Sequence, residues 1–130
     1  MQQRAIRFRS WNPERKIMTA GNDFSTLIIC ADKDFVMEFQ NKGGIWMQFT
    51  GLKDKNGKEV YEGDIVQFGD DKGEVKWNYQ MAGFCIDYQK LPLRAMYYRN
   101  FNVTYGDGDS FIDSSIEILG NKYEHPKLIF

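Results

Sequence analysis

At 130 residues the chain has the length of one domain. Hydrophobic residues make up 42% of it and aromatics 15%, enough to close a core and too many for a chain kept unfolded by low hydrophobicity and high net charge. Lys plus Arg number 17 against 18 Asp plus Glu, so the net charge of −1 excludes a global pull toward phosphate backbones, and a nucleic-acid role would need a local patch. No run of about 18 apolar residues occurs, and the start MQQRAIRFRSW lacks the apolar stretch of about 7–15 residues that a signal peptide needs. The expectation is a soluble, cytoplasmic protein with no membrane partner.

From Arg4 to Trp11 the residues alternate, with Ile6 and Phe8 on one face and Arg7, Arg9 and Trp11 on the other, which predicts a half-buried strand. Asn12-Pro13-Glu14-Arg15 supplies turn chemistry, because Pro presets φ and Asn can bond the backbone just ahead of it, so Lys16-Ile17-Met18 returns as the second strand of a hairpin. Thr26–Cys30 and Phe35–Phe39 are short β-branched or aromatic runs separated by the polar 31–34, again read as strand, turn, strand. Gly43-Gly44 breaks the chain before a strand over Ile45–Phe49.

Lys53–Glu59 is a polar excursion in which Asn56-Gly57 suits positive φ at both turn positions of a hairpin. A second tight turn, Glu62-Gly63-Asp64, leads into the strand Ile65–Phe68. Residues 69–73 link it to a strand over 74–77, and 81–83 lead to another over 84–88. Such a meander of twisted strands curls toward a barrel. Residues 89–113 fit a short helix or an irregular packed loop, with Leu91, Leu93, Met96, Tyr97 and Tyr98 as its apolar side and Gly106–Asp109 as a loop. Ile116–Gly120 reads as a last strand and 121–130 as a tail that Pro126 keeps irregular.

Chemistry finds little purchase in these residues. Cys30 and Cys85 sit far apart among apolar neighbours and are expected as buried, reduced thiols; with His125 as the single histidine and no C-x-x-C, metal binding is not expected. Asp70-Asp71 and Gly106–Asp109 lack the spacing and the terminal Glu of a calcium loop, and Gly57-Lys58-Glu59 lacks the glycine spacing and helix of a phosphate loop. No carboxylate pair stands out for glycosidic chemistry, and His125, beside Pro126, is a poor base for a Ser or Cys nucleophile. The expectation is no catalytic residues, no cofactor and no enzyme activity.

One local charge asymmetry stands against the neutral total. Residues 1–18 hold Arg4, Arg7, Arg9, Arg15 and Lys16 against Glu14, a net of +4 that leaves −5 for the rest. Arg7, Arg9 and Trp11 together form a candidate interaction surface, since Arg alternating with an aromatic suits single-stranded nucleic acid. The other reading of the same strand is an edge guarded by charge, or Arg side chains paired with acids of the same or a neighbouring subunit. Twenty aromatic residues (7 Tyr, 10 Phe, 3 Trp) exceed what so small a core hides, and homo-oligomerisation is the simplest outlet for the remainder.

The blocks IRFRSWNPERKIM, FTGLKDKNGKEVYEGDIV, GEVKWN and IEILGNKYEHPKL, in this order and spacing, resemble the YopX family of phage and prophage proteins. Residues 19–44 and 89–113 depart from the family pattern, so a feature peculiar to this member is expected there. The resemblance implies a mainly β, or β-rich α+β, fold: a small SH3-like barrel around the strand Gly63-Asp64-Ile65-Val66, preceded by an N-terminal β-hairpin extension. In that reading residues 1–130 form a single domain, with N-terminal strands over 1–48, barrel core over 49–120 and a tail over 121–130. Asn56-Gly57 and Gly63 serve as corners and Ile65, Val66 and Phe68 as barrel wall, with Gly51 and Asp64 in the same turn and barrel motif.

The family carries no assigned activity and hence no catalytic residue to transfer. The functional expectation is a non-catalytic phage or prophage accessory protein acting in the bacterial cytoplasm through self-assembly or through contact with a host or phage protein. The alternative is a nucleic-acid-binding regulator that uses Arg7, Arg9 and Trp11.

Overall fold

The computed structural model describes residues 6–19, 33–90, 95–106 and 111–129. The chain opens on the expected hairpin: β1 (Phe8–Asn12) turns into β2 (Ile17–Thr19). Asn12 Oδ1 accepts the backbone N–H groups of Glu14 (3.0 Å) and Arg15 (3.1 Å), the local bond that makes Asn a turn former.

The expected strand Phe35–Phe39 is instead the middle of a helix, α1 (Lys33–Asn41); Thr26–Cys30 lies outside the described residues. Val36 and Phe39 are three apart and partly covered while Met37 between them is 51% exposed, a helical rather than an alternating pattern. Asp34 occupies the first turn, where a negative charge favours the helix start, and Lys42 pairs with Glu38 at 2.9 Å one turn back. Gly43 and Gly44 stop the helix by donating to Gln40 O (3.0 Å) and Phe39 O (2.8 Å).

β3 (Ile45–Lys53) runs antiparallel to β1 and to β4 (Glu59–Tyr61), so the N-terminal hairpin and the middle of the chain share one sheet. Of the expected Asn56-Gly57 pair only Gly57 adopts positive φ (+79°), so the β3–β4 connection is not a two-residue turn with both corners left-handed. It is a five-residue loop built on the buried Asp54, which lies 1% exposed. Asp54 Oδ1 accepts from the N–H groups of Asn56 and Lys58 and Oδ2 from that of Ile118, each at 2.9 Å.

After Glu62-Gly63 the chain forms β5 (Asp64–Phe68), β6 (Asp71–Asn78), β7 (Gly83–Lys90) and β8 (Ala95–Arg99), an antiparallel meander. The β5–β6 link is tighter than the sequence suggests: Phe68 pairs with Asp71, so only Gly69 and Asp70 are loop. Met96, Tyr97 and Tyr98 belong to β8 and not to a helix or irregular loop, because β7 offers them an open edge to pair with; Leu91 and Leu93 lie outside the described residues. β9 (Thr104–Tyr105) and β10 (Phe111–Ile112) follow, then β11 (Ile116–Asn121). Residues 107–109 of the expected loop are also outside the description. Pro126 does not leave the tail irregular: it starts a 3-10 helix, Pro126–Ile129, at a first position where its missing N–H costs nothing.

The strands form two sheets, one ordered β2-β1-β3-β10-β9 with β4 beside β3, the other β11-β5-β6-β7-β8. The mainly β class is as the sequence suggests; the pairing among the described residues gives two open sheets rather than a closed ring of strands. Val66, Val75, Ile86 and Ile116 of the second sheet meet Val60 of the first in a core with no exposed surface at any of the five. Phe68, Phe101 and Ile118 pack around it. Among the described residues no helix is long and apolar enough to cross a membrane.

Asp113, fully buried, ties β8 to β11. Its Oδ1 accepts from Ser115 N–H (3.0 Å) and the Ser115 hydroxyl, and its Oδ2 from Asn102 N–H (2.9 Å), with Arg99 Nη1 at 3.4 Å. Burial pushes this carboxyl up, yet the bonds from Ser115 and Asn102 and the Arg99 charge together outweigh it and hold the pKa below its ordinary value. The folded state therefore binds fewer protons than the unfolded one on the acid side, and stability rises with pH there. Thermal unfolding followed against pH should show the Asp113 contribution intact above the usual carboxylate range and lost as pH falls through the lower folded value. Asp113→Asn should flatten that part of the acid slope; an unchanged slope would contradict the assignment.

Candidate interaction surface

Of the three residues singled out, Arg9 and Trp11 on β1 face inward, and Arg7 just before the strand is half-buried. Arg9 is held between an ion pair to Asp64 (2.8 Å), a hydrogen bond to Glu62 O (3.0 Å) and the Tyr61 ring, whose centroid lies 4.9 Å from the guanidinium carbon. Trp11 is buried and stacks on Tyr123 at 6.0 Å, so the C-terminal segment closes over it. Arg7 pairs with Glu59 and lies 5.7 Å from the Phe49 ring, its side chain 38% exposed. It is Ile6, on the opposite face, that points to solvent, at 61% exposure. Of the other N-terminal cations, Arg15 and Lys16 are exposed in the β1–β2 turn, and Arg4 lies outside the described residues.

The acids that hold this strand come from the motif expected to form corners and wall. Asp64 is buried, and its Oδ2 accepts the Tyr61 N–H at 2.8 Å, which closes the Glu62-Gly63 turn. Burial pushes the Asp64 carboxyl up, with Arg9 and the Tyr61 N–H working against it. Burial likewise raises the Tyr61 phenol to about 12, with Glu59 adding to the effect. Gly63 has φ +86°, and a Cβ there would stand 3.1 Å from Met47 Sδ and 3.2 Å from the Tyr123 ring, so both backbone and space require glycine. Gly51 sits with φ +89° where the β3–β4 register shifts, while Ile65 and Val66 are core; Asn56 and Gly57 are exposed at their loop. Of these residues Asp64 fastens Arg9, whereas Arg7 is held by Glu59 and Trp11 by Tyr123.

A different element is open to solvent. β5 pairs with β6 as far as Glu74, and β8 pairs with β7 as far as Ile86. Beyond those points, among the described residues, Lys76–Asn78 and Gly83–Cys85 pair only with each other, a two-stranded ribbon joined by residues 79–82. Asn78 Oδ1 shapes its turn by accepting from Gln80 N–H (2.9 Å) and Met81 N–H (3.1 Å). On one ribbon face Cys85 is buried, its thiol pushed up by burial, and Lys76 Nζ lies 3.0 Å from Asp87 Oδ2. On the other, the pair Val75 and Ile86 is core, and the next pair outward, Trp77 and Phe84, meets edge to face at 5.1 Å. Trp77 remains 40% exposed, Met81 45% and Tyr79 90%. The signal in the sequence is the run Trp77–Ile86, ten residues without a charge in a chain that is 27% charged.

Among known folds, the crystal structure of protein EF1440 from Enterococcus faecalis is similar to this chain, with a TM-score of 0.50 and 21% identity over 98% of this chain and 100% of that one. At that identity the likeness concerns the fold alone. No curated protein matches the chain. The family model described as YopX protein matches residues 7–130, which takes in every strand from β1 to β11. The chain belongs to the YopX family.

Proposed function

We propose that the protein works by non-catalytic protein–protein contact and that the β6–β7 ribbon is the contacting element. The observation that carries this reading is Tyr79, 90% exposed at the tip of a ribbon that also shows Trp77 and Met81. Aromatic residues and Met are enriched, and charges depleted, at the centres of protein interfaces. The setting is that of the family's phage and prophage proteins in a bacterial cytoplasm, with a host protein, a phage protein or a second copy as partner. No cofactor enters it. The buried Cys85 thiol, its pKa raised, is poorly suited to act as a nucleophile. The nucleic-acid alternative has weaker support, because Arg9 and Trp11 are engaged inside the fold and the ribbon's Lys76 is paired with Asp87.

A photo-reactive phenylalanine placed at position 79, in cells making the protein, should yield protein adducts of discrete mass. Purified protein titrated with labelled single- and double-stranded oligonucleotides at low salt should show no binding. Cross-links to nucleic acid alone, or salt-sensitive oligonucleotide binding lost in Arg7→Ala, would contradict the proposal.

A further inference from the structure

We infer that the ribbon's partner is a second copy of this chain, docked ribbon to ribbon about a two-fold axis; this rests on the reading of the ribbon as the contacting element. A two-stranded ribbon is marginal on its own in water, and here both outer edges beyond Glu74 and Ile86 lack a neighbouring strand among the described residues. Its apolar face is a continuation of the domain core: the pair Val75 and Ile86 has no exposed surface, while Trp77 in the next pair is 40% exposed. Among the described residues nothing covers that exposed part of Trp77.

Charge selects the occupant. A two-fold contact sets the same patch against itself, residue i on j and j on i, so a patch of one charge sign repels its copy and an uncharged one does not. The ribbon from Trp77 to Ile86 has no charge, and the residues that flank it, Lys76 and Asp87, already form an ion pair at 3.0 Å. A partner recognised by charge, whether a nucleic acid, an anionic membrane or an acidic or basic protein surface, finds nothing here to pair with. A copy of the same neutral ribbon fits without a desolvated charge on either side.

Area sets the strength. Tyr79 at 90%, Met81 at 45% and Trp77 at 40% exposure offer roughly 400 Å² of side chain per copy, taking a whole aromatic as about 150–250 Å². That is about half of the ~800 Å² per partner of a standard interface. The dimer is therefore reversible and concentration-dependent.

Sedimentation of the purified full chain over a wide concentration range should show the average mass rising from one copy toward two, equally at low and high salt. Tyr79→Glu and Met81→Lys, both on exposed positions, should each weaken association about tenfold or more without shifting the melting temperature. Gln80→Cys should form a disulfide-linked dimer under mild oxidation where the parent chain, with Cys30 and Cys85, does not. A monomer at every concentration, an association untouched by both substitutions, or one dissolved by salt would overturn the inference, as would adsorption to neutral phosphatidylcholine vesicles in place of self-association. If the purified chain is monomeric while position 79 cross-links in cells to a different protein, the ribbon stands as the contact and the second copy fails. If position 79 cross-links to no protein, both fail.

Discussion

Replacing Asp54 with alanine is expected to lower the unfolding free energy by about 3–4 kcal/mol, from three hydrogen bonds to a charged acceptor with part of the loss made good by water. The carboxylate is 1% exposed and accepts from Asn56, Lys58 and Ile118. The first two shape the β3–β4 loop, and the third fastens that loop to β11, in the other sheet. Losing the side chain strands the part-buried N–H of Ile118 and frees the loop whose Lys55 N–H caps Ile116 O at 3.0 Å. Asp54→Asn keeps one good acceptor and should cost about half as much. Urea unfolding measures both; a loss under about 1 kcal/mol in the alanine variant would mean that the two sheets are held together elsewhere.

Arg9→Ala should destabilise by about 3–5 kcal/mol, because it leaves the buried Asp64 without its cation. Arg9→Met with Asp64→Asn should recover much of that loss, since the uncompensated charge is then gone. The pH dependence has a definite sign. Burial already raises the Asp64 carboxyl and Arg9 opposes it, so without Arg9 the folded-state pKa rises further. A folded state that binds the proton more tightly gains on acidification, and the deficit of Arg9→Ala narrows as pH falls toward that pKa. If Arg9 served an exposed nucleic-acid surface, its loss would leave stability within about 0.5 kcal/mol of the parent at every pH.

Much of this architecture is legible in the sequence wherever the cause is local. Asn12-Pro13 marks the first turn, the Gly63-Asp64 corner marks the entry to β5, and Ile116–Gly120 marks β11. What escapes sequence reasoning depends on distant partners. Alternation along β1 separates two faces but does not say which is inner; the side of Arg9 and Trp11 is inner because Asp64 and Tyr123, far along the chain, need a cation and an aromatic lid there. Helix α1 is missed because its covered residues Val36 and Phe39 fall inside the short apolar and aromatic run Phe35–Phe39, which reads as a strand. β8 is missed because its pairing edge on β7 is invisible until the meander is assembled. The ribbon shows in the sequence as an uncharged run, but its projection past the sheet follows only from where β5 and β8 stop.

The division of labour between a structural Arg strand and a contacting ribbon is tested most directly by sedimentation of three proteins at matched concentration and two salt levels: the parent chain, Tyr79→Glu and Arg7→Ala, whose side chain is 38% exposed. The parent and Arg7→Ala should associate alike at both salt levels while Tyr79→Glu stays monomeric. Association that salt or Arg7→Ala abolishes, and that Tyr79→Glu leaves intact, would contradict it.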